Sequence, residues 1–161
     1  GVAHKQITTH KVISADQMYE SVISLFDKID IAVFAAAVAD YKPANTAPQK
    51  IKKSDSTMNI ELVKNKDIAA EMGKLKKNGQ FTVGFALETE NEELNAQEKL
   101  KKKKFDMIVL NSLNDNGAGF SHDTNKISIF SVKNSVRHFP LKTKKEVAED
   151  IVDNINEHLN A

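Results

Sequence analysis

Four short stretches of this 161-residue chain hold side chains that could bind or move charge. The first runs Ala35-Ala36-Ala37-Val38-Ala39-Asp40-Tyr41-Lys42-Pro43. Small residues at a strand end let a ligand or another backbone approach closely, and Asp40 offers an acceptor beside that approach. The same pattern also serves a tight helix contact with Asp40 in a turn. The second, Lys50-Ile51-Lys52-Lys53, reads as extended, and alternation sends Lys50 and Lys52 to one face. Such lysines can close over phosphates and neutralise charge that develops during phosphoryl or nucleotidyl transfer. They are also common guards of a solvated edge strand. The third, Lys64-Asn65-Lys66-Asp67-Ile68, ends a strand and opens a helix, where free N–H groups suit a phosphate or a polar base edge. Asp67 as a plain N-cap accounts for it equally. The fourth, Glu98-Lys99-Leu100-Lys101-Lys102-Lys103-Lys104, ends a helix, and lysines there complement its dipole. Lys99 and Lys103 are four apart and share a face, so two ammonium groups could grip a triphosphate. Phe85, after Gly84 at a strand end, either stacks on a base or belongs to the core.

The elements that must position these residues follow from apolar periodicity. Gln6 to Val12 is expected as a strand. Ser14-Ala15-Asp16 then starts a helix with Met18, Val22, Ile23, Leu25 and Phe26 as its stripe. Ile31 to Ala37 is apolar throughout, the pattern of a strand buried on both faces. A loop with Pro43 and Pro48 follows, then strands over Met58 to Val63, Phe81 to Ala86 and Met107 to Leu110. Helices are expected over Asp67 to Lys76 and Glu92 to Lys104. Asn111 ends a strand, and a polar loop holds Asn114, Gly117 and Gly119. A hairpin of Lys126 to Val132 and Val136 to Leu141 turns at Lys133-Asn134-Ser135. A last helix, Lys144 to Leu159, carries Val147, Ile151 and Ile155 on one side. Alternating strands and helices predict an α/β fold with a parallel sheet, whose ligands sit at the C-terminal strand ends. The loops after Ala37, Ala86 and Leu110 occupy that position.

Composition narrows the chemistry further. A formal net charge of +1 argues against a general nucleic-acid or membrane binder. With no cysteine there is no disulfide, thiolate metal site or cysteine nucleophile. His4, His10, His122, His138 and His158 lack metal-ligand spacing, so no metal ligand is assigned to a side chain. No Gly-rich phosphate loop is present. No apolar run reaches the length of a membrane span. The length suits one domain, 1–161.

In their order and wording these stretches resemble the bacterial phosphopantothenoylcysteine synthetase family. Ala35 to Pro43, Lys50 to Lys53 and Val63 to Ile68 look like three of its signature segments. Gly84-Phe85-Ala86-Leu87-Glu88-Thr89, Asp106-Met107-Ile108-Val109-Leu110-Asn111 and Gly119-Phe120 continue the likeness. The resemblance implies a Rossmann-like three-layer sandwich with a mainly parallel sheet, a basic flap, and a C-terminal β-hairpin and helix. It also implies that the chain is the C-terminal portion of a single synthetase domain that opens with earlier strands and an Asn–Ser–Ser–Gly type loop. The implied reaction is coenzyme A biosynthesis: 4'-phosphopantothenate attacks the α-phosphate of CTP, pyrophosphate leaves, and the amine of cysteine displaces CMP. Lys50 would be the catalytic residue. Ala35, Ala36, Ala37, Asp40, Lys50, Lys66, Asp67, Ile68, Ala69, Phe85, Lys99 and Lys103 would surround the nucleotide. Mg²⁺ would accompany CTP, and FMN would belong only to a fused upstream decarboxylase. A cytoplasmic homodimer is implied, or a higher oligomer if fused. Two alternatives stay open: a nucleotide-binding fragment without catalysis, and an NAD(P)-dependent Rossmann oxidoreductase. No dinucleotide glycine fingerprint is visible here, though it would lie upstream of this chain. The basic flap argues better against the second, because hydride transfer has no need for one.

Overall fold

The computed structural model describes residues 4–52, 56–112, 122–133 and 135–160. Lys53, Asn114, Gly117, Gly119, Phe120 and Asn134, singled out above, lie outside those residues. The chain divides into two compact units, Gly1–Asp27 with Ala36–Ile68, and Lys28–Ala35 with Ala69–Ala161.

In the first unit, helix α1 (Ala15–Phe26) starts where Ser14 caps it, the Ser14 side chain accepting from the Gln17 N–H. Phe26 is buried, whereas Ile23 and Leu25 are exposed. Met18, Val22 and Phe26 follow one another at four-residue spacing, and the other two fall off that stripe. Strands β2 (Tyr41–Pro43) and β3 (Leu62–Lys64) form an antiparallel ribbon, with Lys42 opposite Val63. The strand expected over Gln6 to Val12 does not form: this exposed stretch has no ladder partner. Lys50 to Lys52 also carry no regular structure. The strand expected from Met58 forms only over Leu62–Lys64, the length over which β2 can pair.

The second unit is a five-stranded sheet between helices. In spatial order it runs β1 (Ile31–Phe34), β4 (Phe81–Glu88), β5 (Met107–Ser112), β7 (Ile127–Ser131) and β8 (Val136–His138). The first three are parallel and the β7–β8 hairpin continues the sheet antiparallel, making it mixed. A short pair, β6 (Thr124–Asn125) with β9 (Lys142–Thr143), stands apart from it. β1 is shorter than its apolar run and is not buried on both faces: Ile31 is 39% and Val33 49% exposed, both on one face, and among the described residues β1 is an edge strand.

Alternation along the strands sorts two cores. Phe81, Val83, Met107, Val109, Ile127 and Ile129 pack with Val147, Ile151 and Ile155 of helix α4 (Lys144–Leu159). On the other face, Ala86, Ile108, Leu110 and Phe130 pack with Phe105 and with Ala96 and Leu100 of helix α3 (Glu92–Lys102). Ala69, in helix α2 (Ile68–Leu75), packs against that cluster. This is the three-layer sandwich expected. A Cβ on Gly84 would overlap the Phe105 ring, so glycine there lets the ring lie on the strand.

Polar side chains tie the layers at their ends. The Asp106 carboxylate accepts from the Thr82 N–H (2.7 Å), the Thr82 hydroxyl (2.9 Å) and Lys76 (2.8 Å), fixing the start of β5 beside the start of β4. At the head of α4, the Thr143 hydroxyl accepts from the Glu146 N–H while Glu146 accepts from the Thr143 N–H, a full capping box. Hydrogen bonds from the Thr143 hydroxyl and N–H, helped by the charge of Lys142, hold the Glu146 carboxyl below its ordinary pKa.

Candidate functional site

The alanine–aspartate loop is pinned by a residue outside the candidate set. Asn65, just past β3, donates its backbone N–H to the Asp40 carbonyl (2.8 Å) and its side-chain Nδ2 to the Ala39 carbonyl (2.8 Å). Its Oδ1 is buried without a hydrogen-bond partner. Asparagine amides readily close loops in this way. Asp40 is thereby held through its main chain, and the residue as a whole stays exposed. Lys42 forms an ion pair with Asp16 of α1. These groups border an open hollow of about 460 Å³ whose walls include Ser14, Asp16, Met18, Tyr41, Lys42 and Asn65.

In the same unit the Lys66 ammonium sits 4.1 Å from the centroid of the Tyr19 ring. That cation–π contact holds Lys66 on α1. Asp67 directly precedes α2, and Ile68, the first residue of that helix, is buried. Ala36 and Ala37 are exposed. Lys50 is exposed and has no ion-pair partner among the described residues.

The second unit carries the other candidates. Ala35 follows the last residue of β1 and is exposed. Phe85 lies on β4 with the parity of Phe81 and Val83 and packs against the α4-side core. Lys99 makes a partly buried ion pair with Glu88 at the end of β4 (3.1 Å). Asn95 steadies that carboxylate at 3.3 Å while also donating to the Glu90 carbonyl at 2.8 Å. A triphosphate reaching Lys99 would have to share or displace Glu88. Lys103 ends α3, its N–H donating to the Lys99 carbonyl (3.0 Å) and its own carbonyl lying where a Cβ on Gly73 would fall. On β5, Asn111 keeps a buried Oδ1 with no hydrogen-bond partner. The candidates thus divide: Ala36, Ala37, Asp40, Lys50, Lys66, Asp67 and Ile68 in one unit, Ala35, Ala69, Phe85, Lys99 and Lys103 in the other.

Sequence reasoning missed Asn65, Asp16 and Glu88 as partners. Asn65 and Glu88 stood inside quoted segments, and a loop asparagine next to a strand end is a usable signal. The Lys42–Asp16 pair joins residues 26 positions apart and leaves no local trace.

Residues 2–159 match the family described as the DNA/pantothenate metabolism flavoprotein C-terminal domain. Over 151 residues the chain is 52% identical to a protein named cysteine/cysteine sulfinic acid decarboxylase, from an unknown prokaryotic organism, covering 94% of this chain and 42% of that protein. Over 144 residues it is 42% identical to the coenzyme A biosynthesis bifunctional protein CoaBC of Bacillus subtilis (strain 168), covering 89% of this chain and 35% of that one. The chain therefore spans well under half the length of these relatives. A crystal structure of the C-terminal domain of a coenzyme A biosynthesis bifunctional protein CoaBC superposes with a TM-score of 0.77 at 36% identity, covering 97% of this chain and 70% of that one.

Proposed function

This chain belongs to the DNA/pantothenate metabolism flavoprotein C-terminal domain family, and from that premise we propose that it serves the ligation of cysteine to 4'-phosphopantothenate in coenzyme A biosynthesis. The family match over residues 2–159 supports the reading most directly. A carboxylate acylates poorly because oxide is its leaving group. Attack of the phosphopantothenate carboxylate on the α-phosphorus of CTP expels pyrophosphate and leaves an acyl-cytidylate. The cysteine amine then attacks that acyl carbon and CMP departs as a phosphate monoester.

In this reading Lys50 contacts the α-phosphate as charge gathers on its oxygens, a role open to an exposed ammonium with no ion-pair partner among the described residues. The same reading assigns Asp40, Lys66, Asp67 and Ile68 to the nucleotide, with Asn65 fixing the Asp40 main chain. Ala35 to Ala37, Ala69, Phe85, Lys99 and Lys103 complete the set. Among the described residues no group of three His, Cys, Asp or Glu is placed to hold a metal ion. In this reading a magnesium ion accompanies the triphosphate, neutralising phosphate charge, and FMN belongs only to a fused upstream decarboxylase. No helix among the described residues is long and apolar enough to cross a membrane. A cytoplasmic homodimer belongs to the same proposal.

Two measurements test it. Thermal unfolding with CTP, ATP and NADH should show the largest stabilisation with CTP. Equal or greater stabilisation by ATP would sink the cytidine assignment, and stabilisation by NADH alone would favour a dinucleotide enzyme. Product analysis tests the chemistry: phosphopantothenate, cysteine and CTP together should yield pyrophosphate and the amide. The relative at 52% identity suggests a second reading, decarboxylation of cysteine or cysteine sulfinic acid. Carbon dioxide formed from either compound without nucleotide would favour that one.

A further inference from the structure

We propose that the hollow between the β7–β8 hairpin and the last turns of α4 binds a small oxyanion. It encloses about 230 Å³ and is bordered by Ser131, Lys133, Ser135, Arg137, Asn154 and His158, with Met107 and Glu157 also on its wall. Met107 is the first residue of β5, so this hollow lies at the N-terminal strand ends, opposite the end where parallel sheets hold their ligands.

Three observations carry the inference. Arg137 is the only arginine of a chain that otherwise uses lysine at every basic position. A guanidinium differs from an ammonium in presenting a planar fork that matches two oxygens of a carboxylate or phosphate. That fork is aimed: its Nη1 donates to Oδ1 of the buried Asn154 (3.0 Å) and to Oε2 of Glu157 (2.5 Å). Asn154 is itself fixed by donating to the Asp150 carbonyl (2.8 Å). The Nε and Nη2 donors are not used by these contacts.

Second, His158 presents a buried Nε2 with no hydrogen-bond partner on the wall of this hollow, while its ring lies 5.4 Å from that of Phe81. Unsatisfied buried polar atoms are uncommon in folded proteins. Third, the Ser131 and Ser135 hydroxyls meet at 2.6 Å, so one of the two hydrogens remains available to a third oxygen. Ser131 is buried, which keeps this pair from being a passing surface contact. Lys133 adds an ammonium at the rim.

The charges favour an anion without a large surplus. Arg137 and Lys133 outweigh the single carboxylate, Glu157, which already spends itself on Arg137. The negative end of the α4 dipole opposes an anion on the helix axis. The ligand is therefore held on the hairpin side, by Arg137, Ser135 and Lys133, with His158 behind it.

The test is a titration of the isotopically labelled chain, followed by amide chemical shifts, with sodium phosphate, sodium acetate and sodium chloride at equal ionic strength. Saturable shifts confined to Ser131, Lys133, Ser135, Arg137, Asn154 and His158 are expected with phosphate or acetate and not with chloride. The phosphate and acetate arms decide which oxyanion the hollow prefers. Arg137→Lys keeps the charge and removes the fork, and Arg137→Gln removes both. Each should weaken binding by roughly tenfold or more, as expected for loss of a charge-assisted hydrogen bond. Arg137 is exposed, and the unfolding midpoint of each variant confirms that the fold is kept. The proposal is overturned if no saturable shift appears, if chloride reproduces it, or if the folded Arg137→Gln variant binds as the parent does.

Discussion

Lys50 and Lys99 start from different surroundings: Lys50 is exposed, whereas Lys99 is partly buried and paired with Glu88. Lys50 has no ion-pair partner among the described residues, and the proposed reaction puts its worth in the transition state. Lys50→Gln is expected to lower pyrophosphate release by about 100-fold while nucleotide affinity falls far less. A parental turnover rate for Lys50→Gln would return this residue to the role of a solvated surface lysine. Lys99 instead starts from Glu88 (3.1 Å), and in the proposed reaction that carboxylate would compete with phosphate. Glu88→Gln should tighten CTP binding by roughly fivefold, about the value of a partly exposed ion pair. Weaker binding in a calorimetric titration would show instead that Glu88 orients Lys99 for its ligand. The sequence displayed both lysines, since their types and positions are local facts. It concealed Glu88 as the partner of Lys99, because that pairing exists only once α3 folds back along β4. Asn65 was similarly hidden: its two bonds to residues 39 and 40 span 26 and 25 positions and follow from the β2–β3 ribbon.

Elements were legible wherever a local signal met a tertiary partner. α4 begins and ends where periodicity and the Thr143-x-x-Glu146 cap place it. β4 and β5 are as buried as their apolar runs imply. β1 misled for a physical reason: an apolar run shows that burial is favourable, and a layer packed on each face is still needed to supply it. The α4 cap also predicts a pH response. The Glu146 carboxyl is held low, so it binds its proton less readily folded than unfolded. Its stabilising contribution is therefore present above the ordinary carboxylate range and lost as pH falls through its lowered value. Thr143→Ala should cost about 1 kcal/mol near neutral pH in denaturant unfolding. Glu146→Gln should flatten part of the acid limb of stability against pH. An acid limb unchanged in Glu146→Gln would mean that the carboxyl is not held low by this cap.

Across the molecule, protection should follow the two cores. Amides in the centres of β4 and β5, between α3 and α4, are expected to exchange with deuterium last. Residues 45–52 and 56–60, exposed and outside any ladder, should exchange among the first. Slow exchange in 45–52 would indicate a packing role for the stretch around Lys50. The exposed edge of β1 bears on how the protein behaves in a tube. Ile31 and Val33 present apolar side chains beside backbone groups that no strand among the described residues engages on that side. Concentrated solutions should therefore scatter light increasingly with time, as one β1 finds another. Val33→Lys places a charge on the half-exposed face and should suppress that scattering with little change in melting temperature. If that scattering appears, the useful lifetime of a concentrated sample is the practical measure of this edge.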